Sequence, residues 1–194
     1  MLWLALSYPR LALEVFNSEY ASSGQPVVVL EKNKIVLCNT TAEKLNILPN
    51  SSLATAQAIQ EELVYFERDP LLEQKVLTSL AAELCALSSQ VSMPFEGTIL
   101  LEIGASIRLF GGADVIEQKA IELSLAAGLE VVSGIAPTVQ AALAFSYSNK
   151  NKFSEIDKLK PINPYAKTKL KVEKFLKKKS KEKKINFIIL RYFN

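Results

Sequence analysis

Apolar positions fall in short blocks separated by polar turns, and their spacing changes along the chain. Leu2–Leu6 is a continuous apolar run of strand length. Tyr8–Phe16 places Leu11, Leu13 and Phe16 at helical spacing. After the loop signal Ser22-Ser23-Gly24-Gln25-Pro26, two β-branched runs, Pro26–Glu31 and Lys34–Asn39, flank a tight turn and predict a hairpin. Thr40 or Thr41 is expected to cap a short helix over Ala42–Ile47, with Glu43 in its first turn. A second short helix is expected over Leu53–Ile59 and a strand over Leu63–Phe66. Asp69-Pro70 predicts the start of a long helix to about Ser88, with Asp69 as N-cap and Pro70 as first helical residue. Val91–Phe95 and Thr98–Ile103 predict strands around Glu96-Gly97. Ala113–Ala127 predicts a helix ended by Gly128, Glu130–Ile135 a strand and Thr138–Phe145 a further helix. Long helices alternating with strands imply an α+β domain with one main sheet.

The pattern changes after residue 147. Loop-like Pro161-Ile162-Asn163-Pro164 precedes a helix from Tyr165 to about Lys181, and Ile185–Phe193 is apolar on both faces. A helix followed by a fully buried strand is the half-unit of a parallel α/β sheet. Here Tyr165 and Lys169 stand at i and i+4, on one helix face. A nearby ammonium favours phenolate and would make Tyr165 a usable base.

Charge divides the chain at the same place. Residues 1–146 hold 8 Lys and Arg against 16 Asp and Glu, net −8; residues 147–194 hold 15 against 4, net +11. Such asymmetry marks two segments of different surroundings or origin. The run Lys177–Lys184 reads as a solvated helix end, since no aromatic residue interleaves the lysines. There is no histidine, which excludes a Ser-His-Asp triad and a Cys-His dyad. Two cysteines, Cys38 and Cys85, make no disulfide framework, so a reducing compartment is expected. No apolar run reaches the roughly 18 residues of a membrane span, and no basic region precedes the apolar start. We therefore expect a cytoplasmic protein without a membrane partner.

Three stretches of the first segment resemble Y-family (UmuC-like) DNA polymerases, and most closely their ImuB branch, an accessory protein of mutagenic repair. They are Leu2–Leu6 leading into Leu11-Ala12-Leu13-Glu14; Arg68-Asp69-Pro70 opening a long helix; and Leu100–Gly104 with Ile107–Gly112, followed by Gly134–Thr138. The resemblance implies a palm with its fingers insertion over residues 1–146. It also implies where metal-binding carboxylates belong, because nucleotidyl transfer uses two divalent ions held by palm acids. The first of these positions corresponds to Ala5 and the second pair to Gly97-Thr98; where the family has a lysine near the site, this chain has Val139 and Leu143. These departures predict no metal site and no polymerase chemistry. Glu14, Glu96 and Glu102 read as surface or strand-end charges. No counterpart of the thumb or little-finger domain, which carry most duplex contact in that family, is recognised after residue 146. An acidic palm is expected to bind DNA weakly by itself, so DNA or DNA-repair proteins are expected partners by family only.

In the second segment, Asn163-Pro164-Tyr165-Ala166-Lys167-Thr168-Lys169 and Ile189–Asn194 resemble UDP-glucose 4-epimerase, of the extended short-chain dehydrogenase family. The resemblance, over about residues 148–194, implies Tyr165 as base, Lys169 on the nicotinamide ribose, and Phe193 and Asn194 near cofactor and sugar nucleotide. Against activity, the seven glycines form no Gly-rich turn for a dinucleotide. The family's catalytic Ser/Thr would also fall near Gln140, inside the polymerase-like helix. The expected architecture is therefore a polymerase-palm-like α+β domain followed by a truncated Rossmann-type helix–strand fragment. The expected function is that of a non-catalytic Y-family homologue with a vestigial epimerase-like tail and no bound cofactor. The alternatives are an NAD-dependent epimerase fragment, with NAD as cofactor, or an inactive chimeric scaffold.

Overall fold

The computed structural model describes residues 1–17, 20, 24–147, 168 and 172. The chain divides into two units, Met1–Asn151 and Lys152–Asn194. The expected tail helix and strand, the residues Tyr165, Lys169, Phe193 and Asn194, and Ser22-Ser23 of the first loop lie outside the described residues.

A four-stranded sheet holds the core of the first unit. Its strands are β1 (Trp3–Ser7), β5 (Val91–Phe95), β6 (Thr98–Glu102) and β7 (Val132–Ala136), in the order β5-β6-β1-β7. Every pairing in it is antiparallel, with β1 central between β6 and β7. One face is covered by α4 (Pro70–Leu84) and α6 (Ala113–Ala126). Leu77, Leu80 and Leu84 of α4 and Ile116 and Ala120 of α6 meet Leu4, Leu6, Ile99 and Leu101 there, all buried. The other face carries α7 (Val139–Tyr147), with Ala142 and Leu143 against Ala5, Leu100 and Ala136. The alternation of side chains along β1 accounts for this division: Leu4 and Leu6 point to one face, Ala5 to the other.

Helix boundaries follow local chemistry. Asp69 Oδ1 accepts from the Leu72 N–H at 3.0 Å and Pro70 occupies the first turn, as expected. The helix ends at Leu84, four residues short of the expected Ser88, whose hydroxyl instead bonds the Glu102 carbonyl at the sheet. A single turn, α5 (Ile107–Phe110), had no counterpart in the hydropathy pattern because four residues are too few to show a helical period. In the β5–β6 turn Gly97 has φ +63°, a conformation that a Cβ disfavours.

A second sheet differs from the single main sheet expected. β2 (Val27–Glu31) pairs antiparallel with β3 (Lys34–Cys38) and parallel with β4 (Val64–Glu67), in the order β3-β2-β4. The hairpin was legible, since Lys32 and Asn33 both adopt positive φ, as two-residue turns between right-twisted strands require. The parallel partner was not, because it arrives after α2 (Thr40–Lys44) and α3 (Leu53–Ile59). These helices cover one face through Ala42 and Ala56. On the other face α1 (Leu11–Glu14) contributes Leu13, and Phe16 stacks on Phe66 at 4.7 Å between ring centres. The cap of α2 is Asn39, not Thr40 or Thr41. Its buried Oδ1 accepts from Ala42 and Val27 N–H groups, and its amide donates to the Gln25 carbonyl. One side chain thus ties the helix start to the strand and the preceding loop.

Candidate functional site

The face of the main sheet under α7 carries Ala5, one of the positions to which the family resemblance assigns metal-binding carboxylates. Ala5, in the middle of β1, is fully buried and stands opposite Leu100 on one side and Gly134 on the other. Two residues further on, and on the same face, Ser7 stands opposite Thr98, the first residue of β6. Gly97 occupies the turn before it.

The side chains around these positions are hydroxyls. Ser7 Oγ and Ser146 Oγ lie 2.8 Å apart, and Ser146 also donates to the Leu143 carbonyl at 2.9 Å. Thr98 Oγ1 and Tyr147 Oη are 3.0 Å apart. Ser7, Thr98 and Ser146 are buried, and the Ser7–Ser146 pair, the Tyr147 hydroxyl on Thr98 and bonds to backbone carbonyls meet the requirement that buried polar atoms be paired. The end of α7 reaches this position because Gly134 lets the helix approach β7. A Cβ there would lie 2.6 Å from Phe145 Cβ and from the Ser146 amide. Val139 and Leu143, at the positions where a lysine was expected by family, pack on the same apolar cluster, Leu143 within it and Val139 against it.

Neutral hydroxyls and an alanine do not fit a divalent metal pair, which requires carboxylate oxygens. Among the described residues no group of three or more His, Cys, Asp or Glu is placed to hold a metal ion. Nor does the turn after β1 offer a dinucleotide a glycine-rich cradle. The turn after β1 is Tyr8-Pro9-Arg10 without a glycine, and the buried Tyr8 hydroxyl is 3.0 Å from Ser124 Oγ, its pKa pushed up by burial to about 12.

Of the three acids read as surface or strand-end charges, Glu14 is a correction. It is buried at the end of α1 and accepts from the Glu130 N–H at 3.1 Å. Burial pushes its carboxyl up to about 7; the bond from Glu130 and the Arg10 charge oppose this, whereas the Glu130 charge adds to it. The surface expectation failed because α1 is only four residues long, too short to show which face it buries. Glu102 is a strand-end charge as expected. Its carboxylate accepts from Leu2 and Gly104 N–H groups, and the first of these bonds leads in lowering its pKa. Glu96 is exposed and pairs with Arg68 at 3.2 Å.

Sequence reasoning missed the Arg68 junction. Arg68 holds Glu73 through two bonds, 2.7 and 2.9 Å, and reaches Glu31 at 3.4 Å as well as Glu96. It therefore joins the end of β2, the first turn of α4 and the β5–β6 turn. Glu73 foremost, and Glu96 after it, raise the guanidinium pKa above its ordinary value against the opposing effect of burial. Only the Arg68–Glu73 spacing was available as a local signal.

Comparison with known proteins agrees with this geometry. The model of the impB/mucB/samB family matches residues 11–146, and that of the NAD dependent epimerase/dehydratase family matches residues 124–194. No curated protein matches the chain. Among solved structures, a post-insertion binary complex of Dbh DNA polymerase superposes with TM-score 0.66 at 16% identity, over 97% of this chain and 69% of that one. An insertion ternary complex of Dbh gives TM-score 0.62 at 17% identity, over 78% and 47%. DinB from Sulfolobus solfataricus gives 0.58 at 16%, over 75% and 45%. The chain thus spans less than half the length of the last two polymerase chains. With the family model over most of its length and a polymerase palm-and-fingers fold beneath it, the chain belongs to the impB/mucB/samB family.

Proposed function

We propose that residues 1–146 act as a non-catalytic, ImuB-like member of this family in DNA repair and translesion synthesis, and that residues 147–194 are an epimerase-like tail without activity of its own. The observation that carries this reading is the palm face itself. Ala5 and Gly97-Thr98 stand where the family resemblance puts metal-binding carboxylates, and hydroxyls of Ser7, Thr98, Ser146 and Tyr147 fill the space between β1, β6 and α7. Without carboxylates, two divalent ions have no anionic donors there, and the electrostatic stabilisation that phosphoryl transfer needs is missing. The role would then be one of binding, with DNA-repair proteins as partners. The net charge of −8 over residues 1–146 disfavours phosphate contacts and makes DNA a weak partner of this segment alone.

Primer extension on a template strand, with magnesium or manganese, tests the proposal. The expected result is no extension above a buffer control. Template-dependent extension would refute it.

A second reading, an NAD-dependent sugar-nucleotide epimerase fragment, is favoured by the family match over residues 124–194. In it Tyr165 would be the base and Lys169, Phe193 and Asn194 would face cofactor and sugar nucleotide. Against it stands the placement of the shared residues 124–146. Their strand, β7, runs antiparallel to β1, whereas a dinucleotide-binding sheet is built from parallel strands.

A further inference from the structure

A cleft of about 330 Å³ lies on the side of the first unit away from α7. It opens between the first turns of α4 and the β5–β6 hairpin, with Leu11 and Leu77 at its base. That size is near the lower end of ligand-binding pockets, roughly 300–1,000 Å³. Two features set it apart from an ordinary surface groove. Its outer wall carries exposed apolar side chains, Phe95 at 54% and Met93 at 39% exposure. Its lining carries the exposed Glu96 and Arg68, which holds the buried Glu73 and reaches Glu31 just beyond the cleft.

The charge balance selects the occupant. Three carboxylates face one guanidinium, and Arg68 is committed chiefly to Glu73, its bonds to Glu96 and Glu31 being longer. Glu96 keeps 87% of its side chain exposed, so it can accept from a second cation without being desolvated first. An acidic or phosphate-bearing ligand would meet these carboxylates and the −8 charge of residues 1–146. Strand addition is disfavoured, because β5, an edge strand among the described residues, is interrupted by Pro94, which has no N–H to give. Recognition then runs through side chains. We propose that this cleft is a docking site for a basic peptide segment of a protein partner. An apolar side chain would insert beside Phe95 and Met93 while flanking Lys or Arg residues pair with Glu96 and the Glu31 edge. This goes beyond the non-catalytic reading and does not depend on it.

The test is fluorescence anisotropy with the full chain and a fluorescein-labelled peptide, Lys-Leu-Lys-Phe-Lys-Leu-Arg. Its counterparts are one with glutamates in place of the cations and one with serines in place of the apolar residues. The basic apolar peptide should bind best. Phe95→Ser and Glu96→Lys should each weaken it by about fivefold or more, because the first removes the aromatic anchor and the second sets a like charge against the peptide's cations. Glu83→Lys makes the same charge change at an exposed position near the far end of α4 and should leave binding nearly unchanged. Both altered cleft residues are exposed, so the fold should survive; circular dichroism checks this, and Met93→Ser replaces any variant that fails. Equal weakening by Glu96→Lys and Glu83→Lys would reduce the effect to net charge and overturn the proposal. So would equal binding of the glutamate or serine peptide, or no binding at all.

Discussion

Glu14 shows how burial turns one side chain into a pH-dependent element of stability. Its folded-state pKa of about 7 lies above the ordinary 4.5, so the folded protein holds a proton there that the unfolded chain has released. The contribution is complete below about pH 4.5 and is lost as pH rises through about 7. Above that, an ionised carboxylate sits in a buried place, compensated only in part by the Glu130 N–H and Arg10. Glu14→Gln keeps an acceptor for the Glu130 N–H and removes the charge. We expect this variant to be more stable than the parent above about pH 7, by about 1–3 kcal/mol, and to lose the pH dependence between the two values. Urea unfolding across that range measures both. An unchanged slope in the variant would mean that Glu14 titrates as an exposed carboxylate. Arg68 makes a related point about charge. Its partners Glu31 and Glu96 lie 37 and 28 positions away in sequence, so no spacing rule could pair them.

Among the elements, the β7–α7 pair is the most sharply constrained. The helix lies over Gly134 so closely that an added methyl group would meet the Ala142 carbonyl, Phe145 Cβ and the Ser146 amide. Two of these are backbone atoms, which cannot rotate aside as a side chain can. Gly134→Ala should therefore destabilise the protein by about 2–3 kcal/mol, towards the high end of overpacking costs. It should also pull Ser146 away from Ser7. Thermal unfolding gives the first effect, and loss of protection of the α7 amides in hydrogen exchange the second. A variant as stable as the parent would show that α7 can lift from the sheet at no cost. In contrast, α4 is set by local rules: Asp69 and Pro70 start it, and its Leu77, Leu80 and Leu84 follow the helical repeat.

The two family models overlap on residues 124–146, which the structure builds into α6, β7 and α7 of the polymerase-like sheet. A strand followed by a helix is common to both folds, so the overlap by itself carries no shared site. The antiparallel setting of β7 and the absence of a glycine turn after β1 leave this unit without the pyrophosphate cradle of a dinucleotide fold. We expect the chain to bind NAD no more tightly than millimolar, where affinity falls to about 4 kcal/mol. Calorimetric titration checks this, and a micromolar dissociation constant would favour the epimerase reading over the one proposed.

What sequence by itself determined was local. The Asp69-Pro70 helix start, the hairpin over Lys32-Asn33 and the β5–β6 turn at Gly97 all depend on residues within a turn or two of one another. Their physics, capping and positive φ, is complete at that range. Tertiary structure alone decided the second sheet, since β4 reaches β2 only after two intervening helices bury Ala42 and Ala56. It also decided that Glu14 is buried, that Asn39 rather than a threonine caps α2, and that Ser7 meets Ser146 from 139 positions away. Each of these rests on which apolar surfaces close over which polar groups. Hydrophobic burial is non-directional, and its partners are chosen by the packing of the whole sheet rather than by the order of residues in one element.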